Sequence, residues 1–376
     1  MIKRWLLLMA PLVAIPVAAV ARVAASVDTW PISRGDAALS GTTPARPPSK
    51  PVLRWRYEAK AKLLAAPVIQ TGTVYIAAAD GTVGALGLQD GRTRWTFKVE
   101  AGVEASPLLA DGVLYVGDLD GRLHALDAAT GRRRWHYATE GAIMGGPNWA
   151  PGDQPLVLVG SYDNRLHAVD AATGERVWIY ETQNYVNGIP AVGDGVALAG
   201  GCDERVHVVA LSNGAARATI AAGSYVASSP AVRGRQAYVG HYQGEVLGLD
   251  IDRGAVDWRF RPEGEPAFYA SVAATATRVV AASRQDGVVH CLSRDDGALI
   301  WTYPASGGVD SSPVIAGDRV LFGSQDGRIT MLRFDTGEKI WSYLVGSPVR
   351  AAVAVVDGWI IAVAVDGGVY AFGEAP

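Results

Sequence analysis

The chain has 376 residues, and its 34 basic and 37 acidic side chains leave a formal charge of -3 with no long run of either sign, which argues against nucleic acid or an anionic membrane surface as a partner. Hydrophobic residues make up 49%, enough for an extensive core, while 44 glycines and 20 prolines require many turns, a mixture that favours short strands over long helices.

At the start, Lys3 and Arg4 precede an apolar run from Trp5 to Ala21, and Ala19-Val20-Ala21 or Ala24-Ala25-Ser26 offers the small-residue cleavage site of a secretory signal. Residues 1–26 are therefore expected to be a signal peptide, and the mature chain to be periplasmic or secreted. The alternative is an uncleaved anchor, but the run is shorter than the ~20 residues of a spanning helix and contains Pro11 and Pro16. No transmembrane span is expected in the mature chain. The segment has no cysteine to carry a lipid.

Residues 27–50 read as an extended leading segment, and a repeat begins at residue 51. The spacing Gly, three residues, Trp recurs at Gly91/Trp95, Gly131/Trp135, Gly174/Trp178, Gly254/Trp258, Gly297/Trp301 and Gly337/Trp341. Gly214 keeps the place with Ala218 where tryptophan should stand, and Trp55 opens the series without its glycine. Successive positions lie 40, 40, 43, 40, 40, 43 and 40 residues apart, in the range of propeller repeats.

Within a period, four short runs rich in Val, Ile, Leu and aromatics are separated by turn pairs such as Gly317-Asp318, Asp326-Gly327 and Thr336-Gly337. We label the four strands A to D from the channel outward. The stretch PVLRWRYE, 51–58, reads as a D strand with nothing before it, and GVYAFG, 368–373, as a C strand with nothing after it. Joined, they complete a blade and hide both open edges. The prediction is an all-β fold over 51–376, an eight-bladed propeller of four-stranded antiparallel blades closed by its two ends. Trp95, Trp135, Trp178, Trp258, Trp301 and Trp341 are expected to dock each blade on the next, leaving the seam at Ala218 the weakest.

The motif resembles the tryptophan-docking PQQ repeat, A-x-D-x-x-T-G-x-x-x-W, shared by quinoprotein dehydrogenases and BamB-like outer-membrane assembly propellers. Ala125, Asp127, Thr130, Gly131 and Trp135 match it in full, as do Ala168, Asp170, Thr173, Gly174 and Trp178, and the segment TWPISRGDAALSG, 29–41, is similar to the leading sequence of exported members. For a quinoprotein dehydrogenase the resemblance implies pyrroloquinoline quinone and calcium in the channel, an Asp base and a ring of two adjacent cysteines. This chain has only Cys202 and Cys291, expected to be isolated thiols. For a BamB-like propeller it implies no chemistry and a protein partner in the outer-membrane insertion machine. The reading adopted is a monomeric, exported, non-catalytic scaffold that binds a protein partner in the cell envelope, without cofactor or metal. The alternatives are a PQQ-dependent oxidoreductase and a glycan- or polymer-binding propeller.

The residue just before the small pair that opens each A strand should point to the channel mouth: Leu64, Glu104, Met144, Asn187, Ala227, Ala270, Asp310 and Arg350. Glu104, Asn187, Asp310 and Arg350 are the candidates there for a cation or anionic cofactor, against a solvated funnel with an Arg350–Asp310 ion pair. His124, His167, His207 and His290 take corresponding C-strand places and read as blade-interface residues. The two 43-residue spacings put insertions at 148–156 and 261–269. Phe268 and Tyr269 in the second, with Tyr185 and Tyr225 on preceding crossings, are candidate partner-binding anchors.

Overall fold

A computed structural model describes residues 27–264 and 266–375; the signal-peptide reading of 1–26 lies outside the described residues. Every regular element there is a β-strand, so none is a helix long and apolar enough to cross a membrane. The strands form eight four-stranded antiparallel blades, one of which carries an extra strand. Blade 1 runs A Val68–Gln70, B Thr73–Ala77, C Thr82–Gly87 and D Thr93–Lys98. Strands A touch in succession from blade 1 to blade 6 and again between blades 8 and 1, and bonds from Ser271 N–H to Ser312 Oγ and from Ser311 Oγ to the Ala351 carbonyl link blade 6 to 7 and 7 to 8, so the sheets form a closed ring.

Burial follows position in the blade. Strand B of blade 1 is buried at every residue, whereas its strand D alternates exposed and half-buried, because inner strands are covered on both faces by adjoining blades and outer strands face solvent. The last blade is closed as expected: Pro51–Glu58 pairs antiparallel with Gly368–Glu374, from Pro51 opposite Glu374 to Glu58 opposite Gly368. The Glu374 carboxylate also accepts bonds from the Ser49 amide and hydroxyl, both at 2.7 Å.

One device recurs at the seams. Each C–D ladder carries a bulge beside the tryptophan position, as between Arg133 and Trp135, which re-aims the ring toward the next blade. The ring lies over the glycine of that blade's C–D turn. Gly131, Gly174, Gly214, Gly297 and Gly337 have φ of 71 to 77°, and a Cβ on any of them would come within 2.8 Å of the preceding blade's indole. The indole N–H then donates to a carbonyl just past strand C: Trp55 to Leu88, Trp95 to Ala128, Trp135 to Ala171, Trp178 to Leu211, Trp258 to Arg294 and Trp301 to Phe334, at 2.8 to 3.2 Å. Trp341 departs from this scheme. Its neighbour is the closing blade, where the C–D turn is replaced by the two chain ends, and it packs edge-on against Phe372 at 5.2 Å instead.

The segment before the propeller does more than lead into it. It lies inside the ring of A strands, and all eight blades donate a hydrogen bond to it: Ile69 to Trp30, Leu109 to Pro31, the Asn148 side chain to Ala37, Val192 to Ala37, Val232 to Ala38, Ala274 to Ser40, Ile315 to Gly41 and Asp357 to Val27. Thr42–Thr43 adds a parallel strand to blade 7. Arg34 is fully buried in this hub, donating to the Pro313 and Val272 carbonyls at 2.9 and 2.8 Å. Burial lowers its pKa to about 10, against the opposing pull of Asp36.

Gly174→Ala places a methyl group on the Trp135 ring at a positive φ, and is expected to lower unfolding free energy by on the order of 2 kcal/mol in urea titration. Amide exchange in strand D of blade 4, Ala216–Ala221, is expected to outpace that in the D strands that carry a docking indole.

Candidate functional site

Because the strands alternate in direction, A–B and C–D turns share one face of the disc, and B–C turns and D–A crossings share the other. On the second face every blade repeats one bond. The N–H of the residue opening the B–C turn donates to a carbonyl of the incoming crossing: Ala79 to Lys62, Leu119 to Gly102, Tyr162 to Ala142, Cys202 to Tyr185, Tyr242 to Tyr225, Arg284 to Ala267, Gln325 to Gly308 and Val365 to Pro348. These turn residues therefore stand beside the crossing residues at the channel mouth.

In blades 3 to 6 they form an aromatic arc. Tyr162 and Tyr185 stack with centroids 4.4 Å apart and planes 8° from parallel. Tyr242 meets Tyr225 edge-on at 6.2 Å and Tyr269 at 4.4 Å, and the Arg284 guanidinium lies 5.1 Å from the Tyr269 centroid. Tyr185, Tyr225 and Tyr242 remain 44%, 47% and 38% exposed, large values for aromatic side chains that elsewhere fill seams. Burial raises the pKa of Tyr162 and Tyr242, so their hydroxyls are neutral donors at physiological pH. Cys202, between the two tyrosine groups, is a free thiol whose pKa burial also raises; Cys291 is likewise free and buried.

The arc ends in a charged cluster. Asp310 accepts from Gln325 Nε2 at 2.9 Å and is paired with Arg284 at 3.2 Å and Arg350 at 3.7 Å. Thus the anticipated Arg350–Asp310 pair forms, with Arg284 closer to the carboxylate. Asn187 accepts the Tyr162 hydroxyl at 3.1 Å, and Glu104 is half-buried in the blade 2 crossing. Glu104 and Asp310 belong to no group of three clustered acid, histidine or cysteine ligands among the described residues. A hard cation takes six or more oxygens, and the Asp310 carboxylate is already shared between two guanidinium groups. The donors at this mouth do not fit a calcium–quinone site. Among the described residues the one three-residue cluster, Glu100, Asp118 and His124, joins the crossing from blade 1 to blade 2, with Glu100 bound by Arg133 at 2.6 Å.

Two expectations need correction. Phe268 is fully buried: its N–H donates to His241 as that of Val226 does to Gly201. It thus fills the blade interface over Gly240, edge-on to His290 at 5.8 Å, and is not a surface anchor. The same register moves the channel-mouth position of blade 6 from Ala270 to Tyr269, since Ser271 aligns with Ser229 and Ser312 through their 2.9 and 3.0 Å bonds. Tyr162, Tyr242 and Arg284 escaped the sequence reading. Their signal is the residue preceding the polar turn pair, as in Tyr162-Asp163 and Tyr242-Gln243.

The histidines lie beneath this face at blade interfaces. His124, His167 and His207 pair with Asp118, Asp163 and Asp203 at 2.8, 3.0 and 2.9 Å, and His241 with Glu245 at 3.0 Å. Tyr137 and Tyr180 hydroxyls meet the other ring nitrogen of His167 and His207 at 3.0 Å. His290 sits among Phe260 and Phe268. Burial lowers the pKa of His167, His241 and His290, with nearby carboxylates opposing it.

No curated protein sequence matches the chain. A family model described as "Outer membrane protein assembly factor BamB" matches residues 52–147, 162–304 and 285–375. Among solved structures, BamB from Moraxella catarrhalis is 23% identical with a TM-score of 0.72, over 86% of this chain and 98% of that one. Quinohemoprotein alcohol dehydrogenase from Comamonas testosteroni is 16% identical with a TM-score of 0.78, over 94% and 82%. The computationally designed Ika8 protein is 19% identical with a TM-score of 0.74, over 84% and 97%. At such identities the structural likeness shows the fold alone.

Two measurements check the placement of these residues. Phe268→Ala is expected to lower unfolding free energy by about 3 to 5 kcal/mol, whereas Tyr225→Ala stays within about 0.5 kcal/mol. A histidine whose folded pKa lies below its unfolded value holds fewer protons when folded, so its stabilisation is complete above the ordinary value of 6.5 and declines as pH falls through it. Urea midpoints are therefore expected to drop from pH 7 toward pH 5, and to drop less in His290→Leu.

Proposed function

The chain belongs to the family described as outer membrane protein assembly factor BamB, and from that premise we propose that it is an exported, non-catalytic scaffold of the cell envelope that docks a protein partner on its tyrosine-lined channel mouth. The arc of Tyr162, Tyr185, Tyr225, Tyr242 and Tyr269 carries this reading. Rigid aromatics with exposed faces and hydroxyl donors supply contact area at low entropic cost, and Arg284, Asp310 and Arg350 beside them give the surface a polar rim. The family supports outer-membrane protein assembly as the setting. An apolar run behind Lys3 and Arg4 supports export.

The rival reading, a quinone-dependent oxidoreductase, has the likeness of fold to quinohemoprotein alcohol dehydrogenase in its favour. Against it stand the engagement of the Asp310 carboxylate by Arg284 and Gln325 and the separation of the two cysteines into different blades. No chemical step is assigned to this mouth.

Replacing Tyr185 and Tyr225 by serine is expected to reduce capture of an outer-membrane assembly component from envelope extracts at least about tenfold, the loss of a single interface hot spot, with an unchanged melting temperature. Undiminished capture would move the docking surface elsewhere, and capture of polysaccharide in place of protein would favour the glycan-binding alternative. A thermal shift with pyrroloquinoline quinone and calcium, together with alcohol-dependent dye reduction, would overturn the scaffold reading.

A further inference from the structure

Blades 2, 3, 4 and 6 carry a histidine at one place in strand C, and two of them complete the same three-membered set. His167 and His207 each lie between the carboxylate of their own B–C turn, Asp163 or Asp203, and a tyrosine hydroxyl from strand D of the preceding blade, Tyr137 or Tyr180. Blade 1 repeats this set without its centre. The ladder row Val159, His167 and Ile179 of blade 3 becomes Ile76, Gly84 and Thr96 in blade 1, so Gly84 stands in the histidine's place. Both flanking groups remain. Asp80 holds the turn position of Asp163, and its Oδ1 accepts the Thr82 N–H at 2.9 Å as Asp163 accepts that of Arg165 at 3.0 Å. Tyr57 faces Val369 across its ladder as Tyr137 faces Leu123 and Tyr180 faces Leu166, and its hydroxyl has no partner among the described residues. With no ring beneath it, the Asp80 side chain is 40% exposed, against 3% and 2% for Asp163 and Asp203. Its second oxygen takes the exposed Lys98 ammonium at 2.8 Å.

The place is not filled from elsewhere. Gly84, Asp80 and Tyr57 line one cavity of about 330 Å³, with Ile76, Thr82 and Thr96 in its wall. A Cβ on Gly84 would meet only side-chain carbons of Ile76 and Thr96, at 3.5 to 3.9 Å, which is ordinary contact, and Gly84 is not among the glycines with positive φ. Neither backbone nor packing therefore calls for glycine there. Blade 7 also has a small residue at this place, Thr330, but there Phe322 of strand B closes on Tyr303 of the preceding blade, with centroids 6.1 Å apart. In blade 1 the same strand B position is Ile76, and the cavity stays.

We infer that this cavity is a binding site for an imidazole group, its N–H donating to Asp80 in place of Lys98 and its other nitrogen accepting from Tyr57. The molecule itself specifies the ligand class, because blades 3 and 4 hold an imidazole between the same two groups at 2.9 to 3.0 Å. A free imidazole compound and a histidine side chain of another polypeptide present the same ring. The cavity lies at the seam of blades 8 and 1, across the disc from Tyr185 and Tyr225, so the inference does not rest on the proposed function.

The full-length protein is titrated with imidazole, 1-methylimidazole and acetyl-histidine methylamide, followed by calorimetry and thermal shift at pH 8, above the ordinary histidine value of about 6.5, so that the rings are mostly neutral. Imidazole is expected to bind saturably and raise the melting temperature, and 1-methylimidazole, which lacks the donor, to bind roughly threefold to tenfold more weakly. Gly84→His supplies the ring in cis and is expected to raise the melting temperature and abolish binding. Should that variant fail to fold, Tyr57→Phe and Asp80→Asn are each expected to weaken imidazole binding by roughly threefold to tenfold. Absence of saturable binding to the wild type, undiminished binding to Gly84→His, or undiminished binding to both Tyr57→Phe and Asp80→Asn overturns the site. Equal affinity for 1-methylimidazole overturns the bond to Asp80. Binding of acetyl-histidine methylamide as tightly as imidazole supports a histidine side chain as the source, and binding of imidazole alone supports a free compound. Capture through Tyr185 and Tyr225 is expected to be unaffected by Gly84→His, so failure here leaves the proposed function standing.

Discussion

An indole laid on a left-handed glycine is the contact from which the ring is built. A single blade has two apolar faces and cannot bury either alone, so the stability of each depends on the blade beside it. The ring covers hydrophobic area, and its N–H satisfies a carbonyl that the end of strand C would otherwise leave without a partner. Glycine is required twice over, for its positive φ and for the missing Cβ against which the ring rests. A device needing one residue from each side of a seam fixes the angle between blades, and repeating that angle brings Pro51–Glu58 back to Gly368–Glu374.

Residues 27 to 46 add a second, circumferential restraint. A hydrogen bond from every blade ties the A strands to one inner segment. With Trp30, Ile32 and Leu39 buried inside the ring, this end of the channel is packed. The buried Arg34 satisfies two carbonyls that precede the A strands of blades 6 and 7, so the hub segment also completes polar groups that the blades leave over.

At the mouth, structure and variability are separated by one residue. In blades 2 to 5 a carboxylate in or beside the turn pairs with a buried histidine beneath, while the residue opening the turn repeats only its backbone N–H bond from blade to blade. Side chains there are free to differ, and they do: Ala79, Leu119, Tyr162, Cys202, Tyr242, Arg284, Gln325 and Val365. A uniform scaffold thus carries a non-uniform surface, with its aromatics gathered over blades 3 to 6 and its charges over blades 6 to 8. The seam at Ala218 extends that asymmetry to the opposite face.

The 40-residue period, the turn pairs and the unmatched half-blades at 51–58 and 368–373 were enough to derive eight blades and their closure, because blade geometry is local: strand alternation, turn chemistry and one docking pair repeat within each copy. The same reasoning placed Asp310 and Arg350 at the mouth, where they pair, and Tyr185 and Tyr225 on the crossings, where they are exposed. It misassigned Phe268 and Ala270, because an insertion at 261–269 hides the register that the His241 and Ser312 bonds establish in space. It could not show that Tyr162 stacks on Tyr185, that Arg284 takes Asp310 ahead of Arg350, or that the leading segment enters the ring. Those contacts join residues from different blades or from opposite ends of the chain. A repeat determines each blade and its angle to the next; what faces the axis is decided only when all eight angles have been summed.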